Sequence, residues 1–285
     1  MKRQDFRFHD RLRVRWAEID AQKIVFNGHY LMYFDTAIAA YWRALALPYA
    51  QSMEALGGDL YVRKATLEYH ASAHYDDVLE VGLRRARIGN SSLVVEGGVF
   101  RGEDLLVGAE LVYVFADPAT QTSRPVPQAL RDIFDAFERG DPMIEVRTAG
   151  WDELAEPAQA IRRAVFVEEQ GVPLDLECDA ADAGAVHALA RNRLGMPLAT
   201  GRLLTAADGS ARIGRMAVSR SLRGSGVGRA VLDALLHAAR SGGLREVRLH
   251  AQIAAVDFYR RAGFAERGEP FDEAGITHVE MTRAL

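Results

Sequence analysis

The chain has 285 residues, 49% hydrophobic and 26% charged, an ordinary globular composition with room for about two domains. A formal net charge of −4 leaves no general basic excess, so nucleic acid is not an expected partner. One cysteine, Cys178, excludes an internal disulfide and fits a reducing, cytoplasmic setting, with the thiol expected in a packing or surface role.

Met1 to Asp10 lacks the apolar centre of a signal peptide, and no apolar run approaches the roughly 20 residues of a membrane span, so no membrane partner is expected. Leu12 to Trp16 alternates apolar and basic and predicts a strand. Asp20, Asn27 and His29 follow in a short polar stretch. Tyr30 to Leu47 is apolar almost all round, which predicts a helix enclosed by protein on most sides. Strands are expected at Ala65–His70, Val78–Arg87, Ser92–Phe100 and Leu105–Phe115, with a hairpin turn at Arg101–Asp104. One enclosed helix followed by consecutive antiparallel strands implies a sheet curled around that helix. Pro125-Val126-Pro127 opens a further helix, Gln128–Glu138, and Arg139-Gly140-Asp141-Pro142 breaks it. The expected domain boundary lies near Gly140, giving units of 1–140 and 141–285 in a chain of α+β class.

These N-terminal residues resemble the hotdog-fold acyl-CoA thioesterases of the 4-hydroxybenzoyl-CoA thioesterase or YbgC/FadM type. In that family an aspartate follows the first strand, and a histidine or asparagine stands seven positions on, before the central helix. Asp20 and Asn27 occupy those positions and Tyr30 matches the helix tyrosine. The resemblance implies that Asp20 acts as nucleophile or as general base for water, two roles the residues leave open. It implies that backbone N–H groups near Asn27 receive the developing oxyanion. Asn27 transfers no proton, so its side chain is expected to orient substrate or water. Glu18 is expected as a solvated neighbour and His29 as a helix-start residue facing solvent. His70 and His74 have no metal-ligand spacing to other histidines or to the cysteine, and no metal is expected. Hotdog sites form between subunits, so the resemblance also implies a homodimer or homotetramer through this domain.

In the C-terminal half, Leu154–Glu169 reads as a helix with Ile161, Val165 and Phe166 inward. Val186–Arg191, Ala199–Leu204, Ala211–Val218 and Glu246–His250 read as strands. Between the last two lies Arg223-Gly224-Ser225-Gly226-Val227-Gly228-Arg229, then Val231, Leu232, Leu235 and Leu236 at helical spacing. Strand, glycine turn and helix leave unpaired N–H groups and a positive dipole end, suited to an anion such as pyrophosphate. The segment is neither an ATPase phosphate loop, since Arg229-Ala230 stands where Lys-Ser/Thr is required, nor a dinucleotide turn, since its glycines follow G-x-G-x-G.

This segment resembles the acetyl-CoA pyrophosphate loop of the GNAT acetyltransferases, R/Q-x-x-G-x-G/A, filled by Arg223, Gly226 and Gly228. Phe258-Tyr259 and Gly263-Phe264 match that family's downstream helix and turn. Arg162 to Gln170 and Asp272 to His278 are similar to segments of its ElaA-like branch. The resemblance implies acetyl-CoA or acyl-CoA as co-substrate and an amine as acceptor, with residues 223–229 on the pyrophosphate and the backbone of Met216, Ala217 and Val218 along pantetheine. Tyr259 would protonate the departing thiolate. Glu168, Glu169, His187 and His278 are weaker acceptor-side candidates, better read as exposed helix charges and satisfied histidines. The whole chain then reads as a bifunctional CoA-thioester enzyme; the alternative is one catalytic half with the other sensing CoA or holding an oligomer together.

Overall fold

The computed structural model describes residues 1–177, 179–205 and 210–285; Cys178, expected in a packing or surface role, lies outside the described residues. The described residues fall into two compact units, Met1–Met143 and Ile144–Leu285.

The first unit is an antiparallel five-stranded sheet with one long helix against it. Strands β1 (Phe8–Arg13), β2 (Asp59–Tyr69), β3 (Val78–Ile88), β4 (Ser92–Arg101) and β5 (Asp104–Ala116) lie in the order β1-β3-β4-β5-β2. Helix α1 (Asn27–Ala44) packs on β1 and β3 and buries Tyr30, Tyr33, Phe34, Ala37 and Tyr41. It approaches the sheet closely because Gly97 lacks a side chain: a Cβ there would stand 2.5 Å from the ring of Phe34. Helix α3 (Gln128–Arg139) closes the far end, where Phe134 and Phe137 meet Tyr41 edge-on or tilted, and the Tyr41 hydroxyl donates to Glu138 at 3.1 Å.

One expectation needs correction here. The strand expected at Leu12–Trp16 is displaced: β1 pairs with β3 from Phe8↔Leu83 to Arg13↔Val78 and then leaves the sheet. The Val14 N–H bonds Asp77 O and Trp16 begins a 3₁₀ turn, 77% exposed, so the apolar alternation outlasts the ladder that would have used it. The segment after α1 also holds a second helix, α2 (Tyr49–Leu56), which ends at Gly57.

The second unit is a seven-stranded mixed sheet. Its strands are β6 (Ile144–Ala149), β7 (Val186–Asn192), β8 (Pro197–Thr205), β9 (Ala211–Val218), β10 (Glu246–Gln252), β11 (Ala265–Glu273) and β12 (Ile276–Ala284), in the order β11-β12-β10-β9-β8-β7-β6. Helix α4 (Trp151–Arg162) continues as a π-helix over Arg163–Glu169, and with it come the short α5 (Leu174–Glu177), α6 (Val227–Ser241) and α7 (Val256–Arg261). Leu154, Ile161 and Val165 pack with Leu189 and Ala217 in one buried cluster. Val231, Leu232, Leu235 and Leu236 are buried, as their 3-4 spacing requires for a helix laid on β7 and β8.

All the pairs in the second sheet are antiparallel except β9 with β10, which run parallel for only three residues, Ala211↔Val247 to Ile213↔Leu249. The strands part there because β9 carries a bulge. Thr200 pairs with Ala217 and Arg202 with Gly214, so β9 has one residue more than β8 between those pairs, and Arg215 sits at φ +53°. The bulge re-aims the strand.

Candidate functional sites

In the first unit, the Asp20 turn lies against the start of α1. A single antiparallel bridge joins Ile19 to Val25 and closes the loop. Inside it the Asp20 N–H donates to Ile24 O at 2.9 Å and Asp20 Oδ1 accepts from the Gln22 N–H at 2.8 Å. The Phe26 N–H donates to Glu18 O at 2.9 Å, which fixes the angle at which α1 begins. Phe26 precedes the helix with no side-chain cap, so the N–H groups of Asn27 and Gly28 have no intrahelical acceptor. Asn27 is exposed, and its carbonyl accepts from the Tyr69 hydroxyl at 3.2 Å. A half-buried carboxylate and two uncommitted N–H groups thus stand on neighbouring turns of chain.

Tyr30 is buried, and its hydroxyl accepts from the Ala73 N–H at 2.9 Å. Glu18 is a correction: it is 3% exposed, where solvation was expected. It accepts from the Tyr33 hydroxyl at 2.8 Å and from the Arg15 N–H at 2.7 Å, and pairs with the Arg15 guanidinium. Burial works to raise the Glu18 pKa, but these donors outweigh it and hold the carboxyl below its ordinary range. The residue is a strut under the Asp20 loop, and only its three-residue spacing from Arg15 hinted at that. His29 is half-buried against the Phe26 ring, and His70 and His74 are exposed. Among the described residues no group of three or more His, Cys, Asp or Glu could hold a metal ion.

In the second unit, Gly224 and Gly226 both take positive φ, +83° and +90°, which a side chain would resist. Gly226 precedes α6 without a side-chain cap, so Val227, Gly228 and Arg229 present orphan N–H groups at its positive dipole end. Ser225 turns its hydroxyl back to Leu222 O at 2.6 Å. Arg223 makes a bidentate pair with Glu169 at 2.6 and 2.7 Å, which ties the loop to the π-helix. Arg229 pairs with Asp233. From Gly214 to Val218 the edge of β9 towards β10 has no ladder partner among the described residues, so the backbone of Met216, Ala217 and Val218 is open to them on that side.

A cavity of 490 Å³ lies beside this fork. Phe166, Met216, Tyr259, His250, Glu273 and His278 all line it. Tyr259 is 7% exposed, and its hydroxyl has no hydrogen-bond partner among the described residues. Burial alone pushes its pKa up, so the hydroxyl keeps its proton and stands as a donor at the cavity wall. His278 Nδ1 lies 2.8 Å from Ile276 O. His187 is not part of the wall: it is buried, with Nε2 3.0 Å from Asp182 O, and burial lowers its pKa. Glu168 pairs with Arg163 and Glu169 with Arg223, both at the surface. Glu177, Asp179 and Arg202 also line the cavity and belong to a buried ion network: Arg162 is held by Glu177 and by Asp182, and Arg202 bonds Asp182 at 2.8 Å and Asp179 at 2.6 Å. Sequence periodicity gives no sign of this buried ion network, whose members come from α4, α5, β8 and the connecting turn.

Comparison with known proteins divides the chain the same way. The profile of the thioesterase superfamily matches residues 22–108, and that of the acetyltransferase (GNAT) domain matches residues 195–285. An uncharacterised N-acetyltransferase of Bacillus subtilis, YjcF, is 35% identical over 133 residues, 46% of this chain and 94% of that protein. A protein of Aquifex aeolicus named for an expected esterase activity is 34% identical over 97 residues, 34% of this chain and 74% of that one. The acyl-CoA thioester hydrolase YbgC of Escherichia coli is 28% identical over 120 residues, 42% of this chain and 89% of its own length.

Proposed function

This chain joins a member of the thioesterase superfamily to a member of the GNAT acetyltransferase family, and from that premise we propose a bifunctional enzyme of CoA thioesters. Residues 1–140 hydrolyse an acyl-CoA, and residues 141–285 move an acetyl group from acetyl-CoA to an amine. The observation that carries the reading is the fork between β9 and β10, which opens beside a cavity lined by Tyr259, whose hydroxyl has no hydrogen-bond partner among the described residues.

In the transferase, the CoA pyrophosphate sits on the N–H groups of residues 226–229 and the glycine turn before them. Pantetheine adds to the open edge of β9 at Met216–Val218, which places the thioester in the fork. The amine attacks the acetyl carbon directly; the C–N bond forms, the C–S bond breaks, and the thiolate takes its proton from Tyr259. In the hydrolase, the N–H groups of Asn27 and Gly28 receive the negative charge that develops on the thioester oxygen. Asp20 attacks the carbonyl or activates water for the attack, and the Asn27 amide orients the reacting group.

The hydrolase half works as a homodimer. Its α1 exposes Leu31 and Met32, at 43% and 60%, and edge strand β2 exposes Val62 at 59%. Apolar residues on an unpaired edge beside an open site are what a second copy would cover. The test is a panel of acyl-CoA esters of varied chain length, with thiol release followed with and without primary amines. Hydrolysis without amine, and extra release from acetyl-CoA matched by N-acetyl product when amine is added, is the expected result. No thiol release under either condition would end the proposal.

A further inference from the structure

The proton that an amine must lose before it can attack has no destination in the scheme above. At neutral pH an alkylamine is an ammonium ion with a pKa of about 10, and only its neutral form is a nucleophile. A base is therefore required on the acceptor side of the fork.

His250 stands at that point. It is the residue after Leu249, the last position at which β10 pairs with β9, so it occupies the crotch of the fork. Its side chain lines the same cavity as Tyr259 and is 26% exposed. The ring meets Phe271 edge-on at 4.8 Å, which limits its rotation. Nδ1 lies 2.8 Å from Glu273 Oε2 and 2.7 Å from Arg212 Nη2. One nitrogen cannot donate to the carboxylate and accept from the guanidinium at once. When Nδ1–H donates to Glu273, Nε2 carries the lone pair, and it has no hydrogen-bond partner among the described residues. A histidine oriented by a carboxylate, with its second nitrogen open to a substrate cavity, is arranged to accept a proton.

Resting on the transferase reading, we propose that His250, oriented by Glu273, is the base that deprotonates the acceptor, and that the acceptor is therefore a primary alkylamine and not an arylamine. The protons balance. Nε2 takes one proton from the ammonium group and passes it to solvent. Tyr259 gives its proton to the departing thiolate and regains one from the nitrogen as the amide forms. The products are N-acetylamine, CoA thiol and one released proton.

His278 is the rival base. It lines the same wall and stacks near Phe271, but its Nδ1 faces the main-chain carbonyl of Ile276, so no carboxylate orients its ring. The charged groups facing His250 from adjoining strands are Glu273 on β11, Arg212 on β9, and His278 and Glu280 on β12, with Glu280 directly opposite it and also 3.7 Å from Arg267. Glu273 is held ionised: burial works against it, but the bond to His250 and the nearby Arg212 lower its pKa.

The experiment uses the full chain, acetyl-CoA, and an acceptor panel of n-butylamine, putrescine, lysine-containing peptides and aniline. Wild type should acetylate alkylamines, with kcat/KM falling on the acid side. His250→Gln should lose about 10²- to 10⁴-fold in kcat/KM, the range for a positioned base, and lose that acid limb, while binding acetyl-CoA as wild type does. Glu273→Gln, which removes the carboxylate that orients the ring, should lower kcat/KM for alkylamines by less than His250→Gln does, and Glu273→Asp should recover part of the loss. His278→Gln should stay within a few-fold of wild type. An active His250→Gln with an unchanged acid limb, or wild type that acetylates aniline but no alkylamine, overturns the inference while leaving the transferase reading standing. A wild type that acetylates nothing in the panel removes that reading and the inference together.

Discussion

The two units each present uncommitted N–H groups at a helix start, Asn27 and Gly28 in the first and Val227 to Arg229 in the second, but differ in how far the chain encloses its candidate site. In the second unit the chain builds its own enclosure: a cavity of 490 Å³ with a buried tyrosine and part of a buried ion network on its wall. In the first unit Asn27 is exposed, and Phe26 and Met32 around the helix start are 51% and 60% exposed. An enclosed site excludes water with its own residues and works as a single copy. An open one ringed by apolar side chains gains its walls by association. The hydrolase is thus expected to depend on protein concentration where the transferase does not.

That contrast can be broken most forcefully at Asp20. Asp20→Ala should lower thioester hydrolysis about 10²- to 10⁴-fold and leave amine acetylation unchanged, as read by thiol release with and without acceptor. Tyr259→Phe should do the reverse, costing acetyl transfer about 10²-fold, the lower end for a proton donor, with hydrolysis intact. A change in both activities from either substitution would mean that the units are not independent catalysts.

Smaller effects sharpen the contrast. Glu18→Gln weakens the buried partners of Tyr33 and Arg15 and should cost the first unit about 1–3 kcal/mol in denaturant titration. The folded pKa of Glu18 is depressed, so its contribution is present above the unfolded carboxylate value of about 4.3 and is lost as pH falls through the folded value. Wild type and variant should therefore converge in stability only once the pH has fallen below the depressed folded value of Glu18. Gly226→Ala forces a side chain into φ +90°, a penalty of about 1 kcal/mol, and should weaken acetyl-CoA binding about five-fold in calorimetry.

Periodicity and glycine chemistry made much of this legible. The all-round apolar run of α1, the 3-4 spacing on α6 and the strand-like runs of β3, β4 and β5 each describe a local structure whose partner surface is implied by the pattern itself. The strand expected at Leu12–Trp16 shows where such reasoning stops. Alternation persists through Trp16, but a strand ends where its neighbour ends, and β3 offers no partner past Val78. Glu18 was misplaced for a related reason, since its burial comes from Tyr33 fifteen residues on and from the folding back of Phe26 onto its carbonyl. His250 gave no local signal either. It is one residue in a short strand, and it gains a role only because β9 bulges away from it and Glu273 arrives from the β11–β12 hairpin.

The central claim is that each unit holds its own CoA thioester site. Calorimetric titration of the full chain with CoA tests it most directly, by stoichiometry. The account predicts two molecules bound per chain, one of them weakened by Gly226→Ala and the other unaffected. A single site, or none, would contradict it.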